Sequence, residues 1–371
     1  MAENQALKGR LTELEEEYAK TKYNKATNKY LGMLRAKMAK IRKQMAAKKS
    51  FGGTGFAIRK AGDATVALVG FPNAGKSSLL KTLTSVESKV AGYAFTTVEV
   101  IPGMLEFNGA KIQLLDLPGL IPGAHEGKGE GTKIASVIRT SDLLLFLVDI
   151  NRPGELYELI KELNMLGIRP NKPAPGIRIE RKNSGGVSVA ANRHRIPEKD
   201  LITGILNEFD IYNCDIYFYD DATADDIVDA LSGNSAYIKG IVALNKIDTV
   251  DPSVLQKTKN EIESNTGMDV IPISAMRDIN TISLKEALFR KLGLLRIYLK
   301  PKDGEPDFSK PLIAKQGDSV MDVAKAIHSR AAKNLRYAYV DGKSVKFKNQ
   351  RVGPEHALAD GDIVTLVYTK A

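Results

Sequence analysis

Residues 70–77 read Gly-Phe-Pro-Asn-Ala-Gly-Lys-Ser, directly after the apolar run Ala64–Val69 and directly before a helical stretch, Ser77–Thr84. Few arrangements of strand, turn and helix tolerate such a string. A glycine-rich turn between strand and helix wraps backbone N–H groups around an anion, and the helix N-terminus adds positive potential. The lysine then reaches the outer phosphates and the hydroxyl reaches a metal ion. A phosphate-binding loop is therefore expected at Gly70, Phe71, Pro72, Asn73, Ala74, Gly75, Lys76, Ser77 and Ser78, with Lys76 on the β- and γ-phosphates and Ser77 on Mg²⁺.

The surrounding pattern predicts the domain that carries this loop. Ala64–Val69, Lys111–Leu115, Leu143–Val148, Gly240–Leu244 and Val270–Ile273 are short apolar runs. Helical stretches Ser77–Thr84, Gly154–Leu166 and Pro252–Asn265 lie among them. Strand–helix alternation of this kind predicts an α/β domain with a mostly parallel sheet covered on both faces. The alternation breaks between about 168 and 237, far longer than an ordinary connection. Ile177–Arg181 and Val187–Val189 flank Asn183-Ser-Gly-Gly and read as a hairpin. With helices over 197–209 and 224–231 and a strand over 215–219, the segment reads as an α+β insert.

Both ends differ from the middle. Leu7, Leu11, Leu14 and Tyr18, then Leu31, Leu34, Met38, Ile41 and Met45, recur at helical spacing and predict a helical hairpin with a basic outer face. From Leu294 onward, strands near 297–300, 312–315, 337–340 and 363–368 with a helix over 319–332 suggest a β-grasp. The expected layout is 1–50 hairpin, 51–167 with 238–293 nucleotide domain, 168–237 insert and 294–371 β-grasp domain.

Further strings follow the phosphate loop in a fixed order. Asp116-Leu-Pro-Gly119 ends a strand, where Asp116 would hold Mg²⁺ through water and the Gly119 N–H would meet the γ-phosphate. Phe95-Thr96-Thr97 lies in the preceding loop. Thr97, with Thr96 as the alternative, would place its hydroxyl on Mg²⁺ while the γ-phosphate is present. Asn245-Lys246-Ile247-Asp248 ends another strand, and the Asp248 carboxylate can accept from both N1–H and the 2-amino group of guanine. Adenine lacks those donors, and an unpaired buried acceptor disfavours it by something like 10⁴-fold. Ser274-Ala275 ends the next strand, with a backbone N–H available to guanine O6. Alone each string is weak; their order carries the reading, which is GTP binding and hydrolysis.

Charge points to a second property. The chain carries +10, and residues 1–60 hold 15 basic and 5 acidic residues, so the whole surplus lies there. Such a segment is the footprint of a polyanion binder. Cys214 is the only cysteine, which excludes an internal disulfide, and the N-terminus has no basic-then-apolar export signal. No run reaches the roughly 18 apolar residues of a membrane span. A cytoplasmic protein is expected.

The strings Gly70-Phe-Pro-Asn-Ala-Gly-Lys-Ser-Ser, Phe-Thr-Thr, Asp-Leu-Pro-Gly-Leu-Ile and Gly-Lys-Gly-Glu-Gly131 resemble those of the Obg family of GTPases, and most closely its developmentally regulated GTP-binding protein (DRG) branch. That branch carries a basic helical hairpin, an insert in its GTPase domain and a C-terminal TGS domain of β-grasp shape. The resemblance thus spans nearly the whole chain and implies a role in translation, with the ribosome or its RNA as partner. Where Ras-like enzymes use a glutamine to orient water, this chain has Leu120, so slow turnover is expected. Asn73 stands where related GTPases ligate potassium, which implies K⁺-stimulated hydrolysis. A regulatory protein partner, and a reading as a nucleotide-dependent adaptor with incidental hydrolysis, both stay open. His125, His194, His328 and His356 show no metal-ligand spacing.

Overall fold

The computed structural model describes residues 2–22, 27–49, 61–84, 101–117, 130–302, 304–328 and 332–369. Thr96, Thr97, Gly119, Leu120 and His125 lie outside the described residues. Along the chain come α1 (Ala2–Lys20), α2 (Asn28–Lys49), β1 (Ala64–Val69), α3 (Lys76–Leu83), β2 (Ile101–Phe107), β3 (Ala110–Asp116), α4 (Glu130–Thr140), β4 (Leu143–Asp149) and α5 (Glu155–Met165). Next come β5 (Ile168–Pro170), β6 (Ile177–Arg181), β7 (Val187–Ala190), α6 (Lys199–Glu208), β8 (Cys214–Phe218), α7 (Ala224–Ser232) and β9 (Ala236–Ile238). Then follow β10 (Gly240–Asn245), a 3-10 turn (Ile247–Thr249), α8 (Pro252–Thr266), β11 (Asp269–Pro272) and α9 (Thr281–Lys291). The last elements are β12 (Leu294–Leu299), β13 (Leu312–Lys315), α10 (Val320–Ile327), β14 (Leu335–Asp341), β15 (Gln350–Val352) and β16 (Ile363–Tyr368). They divide into two compact units.

The larger unit holds a sheet in the order β11-β10-β4-β1-β3-β2. Every pairing is parallel except β2 against β3. β1 and β10 are buried along their full length, and β4 at all but its last residue, as expected of strands covered on both faces. Leu79, Leu80 and Leu83 of α3 and Leu284, Ala287 and Leu288 of α9 share one apolar core with these strands. The antiparallel edge follows from Asn108-Gly109, whose φ values of 52° and 80° form the two-residue turn that joins β2 to β3.

The C-terminal sheet of this unit runs β13-β12-β16-β14-β15. β12 and β16 form a parallel pair, and the outer pairings are antiparallel. α10 lays Val320, Val323 and Ala324 on one face of it. This is the expected β-grasp.

In the other unit α1 and α2 form the predicted hairpin, and Leu31, Leu34, Met38 and Ile41 are its buried stripe. Two expectations are corrected. β6 and β7 do not pair with each other: both pair with β8, antiparallel and parallel respectively. The glycines of 183–186 do not close a tight turn because Asn213 ties the loop to the start of β8. Its backbone carbonyl accepts from Lys182 N–H (3.0 Å) and its side chain from Gly186 N–H (2.8 Å). The loop thereby spans the width of the central strand.

The basic face of α2 is also not an outer face throughout. Arg35 pairs with Asp225 at 2.5 Å, Lys40 with Asp210 at 2.6 Å, and Lys43 donates to the Leu231 carbonyl at 3.0 Å. Ala36 joins the apolar core formed by α6, α7 and β8. Three cations of α2, Arg35, Lys37 and Lys40, are thus matched inside this unit by acidic residues of the insert.

Candidate functional site

The sequence strings converge where β1, β3 and β10 end. The chain leaves β1 at Gly70 and enters α3 at Lys76 through Asn73 and Gly75, both in the left-handed region at φ 65° and 100°. Asn73 accepts that geometry better than most side chains. Gly75 is required twice over. Its φ disfavours a side chain, and a Cβ there would sit 2.5 Å from Asn245 Nδ2. Ser77 and Ser78 are exposed at the start of α3, whereas Ala74 is buried.

Lys76 folds back over its own loop, donating to the Gly70 carbonyl at 2.8 Å and the Phe71 carbonyl at 3.1 Å. Burial pushes its ammonium below the usual lysine range, although Asp116 opposes the shift. Burial likewise raises the Asp116 carboxyl, and Lys76 opposes that. Asp116 is 7% exposed, and its Oδ1 is buried with no hydrogen-bond partner among the described residues. A carboxylate held in that way has coordination to spare, the condition that a metal ion or its water would satisfy.

Asn245 connects the loops. It is 3% exposed. Its Nδ2 donates to the Ala74 carbonyl at 2.8 Å, and its Oδ1 accepts from the Ala275 N–H at 3.0 Å. Thr82 of α3 adds a bond to the Ala275 carbonyl at 3.0 Å. One amide therefore clasps the phosphate-loop string to the Ser274-Ala275 string across 171 and 30 residues of chain.

Lys246 is left-handed at φ 64°, and its ammonium pairs with Asp149 at 2.7 Å. Burial alone pushes the Asp149 carboxyl up, but hydrogen bonds from Lys246 and Asn151 prevail and hold it below its ordinary value. Asn151 reaches on to Thr249 at 3.1 Å. Asp248 faces the neighbouring loop. A hydrogen bond from the Ser274 hydroxyl holds its carboxyl low, and Arg277 Nε lies 3.0 Å from its Oδ2.

The structure thus brings Gly70–Ser78, Asp116, Asn245–Asp248 and Ser274–Ala275 to one side of the sheet. Sequence reasoning missed Asp149, Asn151, Thr82 and Arg277. Asp149 ends an apolar strand just as Asp116 does, and that signal was legible; the others carry no motif. The remaining histidines join no metal cluster among the described residues.

A glycine-rich turn feeding a helix, beneath the switch from β1 to its neighbours in this strand order, is the P-loop GTPase fold. Comparison with known proteins gives the same class. The family model described as a 50S ribosome-binding GTPase matches residues 65–182, the C-terminal region of that domain matches 184–294, and a TGS domain matches 295–368. An uncharacterized GTP-binding protein of Methanocaldococcus jannaschii is 45% identical over 362 residues, covering 96% of this chain and 92% of the relative. The developmentally-regulated GTP-binding protein 1 of Xenopus laevis is 40% identical over 368 residues, covering 96% and 98%. Ribosome-interacting GTPase 1 of Saccharomyces cerevisiae is 40% identical over 369 residues, covering 95% and 97%. The chain belongs to the developmentally regulated GTP-binding proteins, P-loop GTPases with a C-terminal TGS domain.

Proposed function

We propose that this GTPase hydrolyses GTP slowly to GDP and phosphate and acts as a ribosome-associated switch in the cytoplasm that contacts RNA. The clasp made by Asn245 carries the nucleotide half of the reading, because it locks a phosphate cradle and a base-reading loop into one site. Gly70–Ser78 would wrap the phosphates, with Lys76 released from its two carbonyls to the β- and γ-phosphates. Asp248 would accept from N1–H and the 2-amino group of guanine, and the Ala275 loop would meet O6. The stem of Lys246, fixed at its tip by Asp149, would line the base. By their motifs, Thr97 and Gly119 would serve the γ-phosphate.

Mg²⁺ fits the residues present, since Asp116 has an unsatisfied buried oxygen and Ser77 is exposed at the helix start. Ser77, Thr97 and Asp116 would hold it, and it would supply charge neutralisation between the β- and γ-phosphates. With Leu120 in place of a water-orienting glutamine, Asn73 would hold K⁺, which would supply positive charge towards the transition state. Asn73 lies within the phosphate loop and is exposed. Turnover measured at matched ionic strength should rise in potassium over sodium; equal rates remove this part of the reading.

The domain limits proposed are 1–50, 51–167 with 238–293, 168–237 and 294–371. The relative's name and the family description support ribosome association. For RNA contact, α2 has fewer free cations than its sequence suggests. A second basic stretch stands on the TGS domain, where Lys343, Lys346, Lys348 and Arg351 are exposed around Phe347, itself 65% exposed. Cations interleaved with an aromatic suit a phosphate backbone and a stacked base. Ribosome co-sedimentation of GTP- and GDP-loaded chain tests the switch. Pelleting of the GTP form alone supports it, and pelleting of neither favours a protein-binding adaptor with a regulatory partner instead.

A further inference from the structure

The Arg277–Asp248 pair has no place in the scheme above. Asp248 is the carboxylate read as the guanine acceptor, and Arg277 Nε lies 3.0 Å from its Oδ2. A guanidinium is a planar CN₃ group that presents adjacent N–H donors. The N1–C2–N2 edge of guanine is the same chemical arrangement. Arg277 therefore sets one cationic N–H group, Nε, against the carboxylate oxygen that the base would use.

The loop around it is built to hold this position. Ser274 and Ile279 exchange both backbone hydrogen bonds at 3.1 Å, closing the turn that carries Arg277. Arg277 N–H donates to Ser274 Oγ at 3.3 Å. Asn280, left-handed at φ 59°, anchors the far side by donating to the Pro272 carbonyl at 3.0 Å. The backbone of the turn is thus pinned beside Asp248. The arginine side chain is not buried: it is 66% exposed, against 16% for Asp248. Arg277 can swing into solvent without disturbing the turn.

We propose that Arg277 is an internal competitor for guanine, occupying Asp248 whenever the base is absent and lowering the affinity for guanine nucleotides. This rests on the reading of Asp248 as the base acceptor. Only the fraction of molecules with Arg277 displaced is competent to bind, so the apparent dissociation constant rises by the reciprocal of that fraction. An exposed ion pair of this kind corresponds to a factor of about two to five.

Equilibrium binding of GDP to the full chain, measured by titration calorimetry in Mg²⁺, tests this. R277A and R277Q should each bind GDP about two- to fivefold tighter, because neither presents a cation. R277K, which keeps the charge without the planar donors, should fall between them and the parent chain. On a D248N background, with xanthosine diphosphate as the ligand, R277A should change affinity by less than measurement error, since the carboxylate it competes for is gone. Weaker or unchanged GDP binding in R277A overturns the proposal, and weaker binding would make Arg277 a base contact. Equal tightening on both backgrounds overturns it too. If D248N binds GDP as the parent does and gains nothing for xanthosine diphosphate, the base reading itself has failed and the proposal falls with it.

Discussion

Asn245 is the residue on which the site geometry depends most. Its amide satisfies one buried acceptor and one buried donor at once, and Thr82, which hydrogen-bonds to the Ser78 and Ala275 carbonyls, adds a second link between the same two strings. Asn245→Ala should leave the Ala74 carbonyl and the Ala275 N–H unpaired, at a cost of about 1–3 kcal/mol for each group. The expected result is a lower melting temperature of the nucleotide-free chain, together with weaker GDP binding. A variant that melts with the parent chain would mean that the clasp contributes nothing. Lys76→Ala should behave oppositely. It removes only hydrogen bonds from a half-buried ammonium to two carbonyls, so the melt should change little while nucleotide affinity collapses. Filter binding of labelled GTP beside a thermal melt separates the two variants.

Caps and buried pairs set stability at the scale of elements. Ser319 and Asp322 form a capping box at the start of α10, and the Ser319 hydroxyl, with the other hydrogen bonds there, holds the Asp322 carboxyl down to about 2. That value is depressed from an ordinary carboxylate near 3.9. The contribution is therefore present above about pH 4 and is lost as pH falls towards 2. Ser319→Ala should weaken α10 by about 1 kcal/mol and flatten this acid dependence. Amide exchange of α10 at pH 5 reads the cost, and an unchanged exchange rate refutes it. In the insert, Arg169 grips Asp229 through two 2.7 Å bonds while Tyr237 donates to the same carboxylate at 3.2 Å. Asp229→Ala strands a guanidinium that is only 15% exposed and should cost about 3 kcal/mol, opening the root of the insert to proteolysis before the rest of the chain.

Elements of this kind also explain what the sequence revealed. β1, β4 and β10 were readable because strands buried on both faces are unbroken apolar runs ending at Gly70, Asp149 and Asn245. The stripe of α2 was readable for the same reason at helical period. The pairing of β6 and β7 was not, because nearness in sequence suggested a hairpin while β8, some twenty-five residues later, supplied the better partner. Within the site, motif residues announced themselves. Arg277 did not, since its position depends on a turn closed by the Ser274 and Ile279 backbone bonds, and Thr82 did not, since it is a single polar residue within α3 that belongs to no motif.

Across the whole molecule, charge and nucleotide state decide what the switch contacts. If the TGS stretch from Lys343 to Arg351 touches RNA, changing Lys343, Lys346 and Lys348 together to alanine should lower the slope of log affinity against log salt by about two to three. Removing residues 1–50 should reduce the slope less than their net charge of +8 (13 basic less 5 acidic residues) implies, because Arg35 and Lys40 are already paired within their own unit. Equal loss per cation from both regions would contradict that ordering. These outcomes all presuppose that the chain reads guanine through Asp248. Titration calorimetry of the full chain and of D248N with GDP and xanthosine diphosphate, in Mg²⁺, tests it most directly. D248N should lose GDP affinity by on the order of 10³- to 10⁴-fold and bind xanthosine diphosphate instead; D248N that binds GDP as tightly as the parent chain would contradict the account.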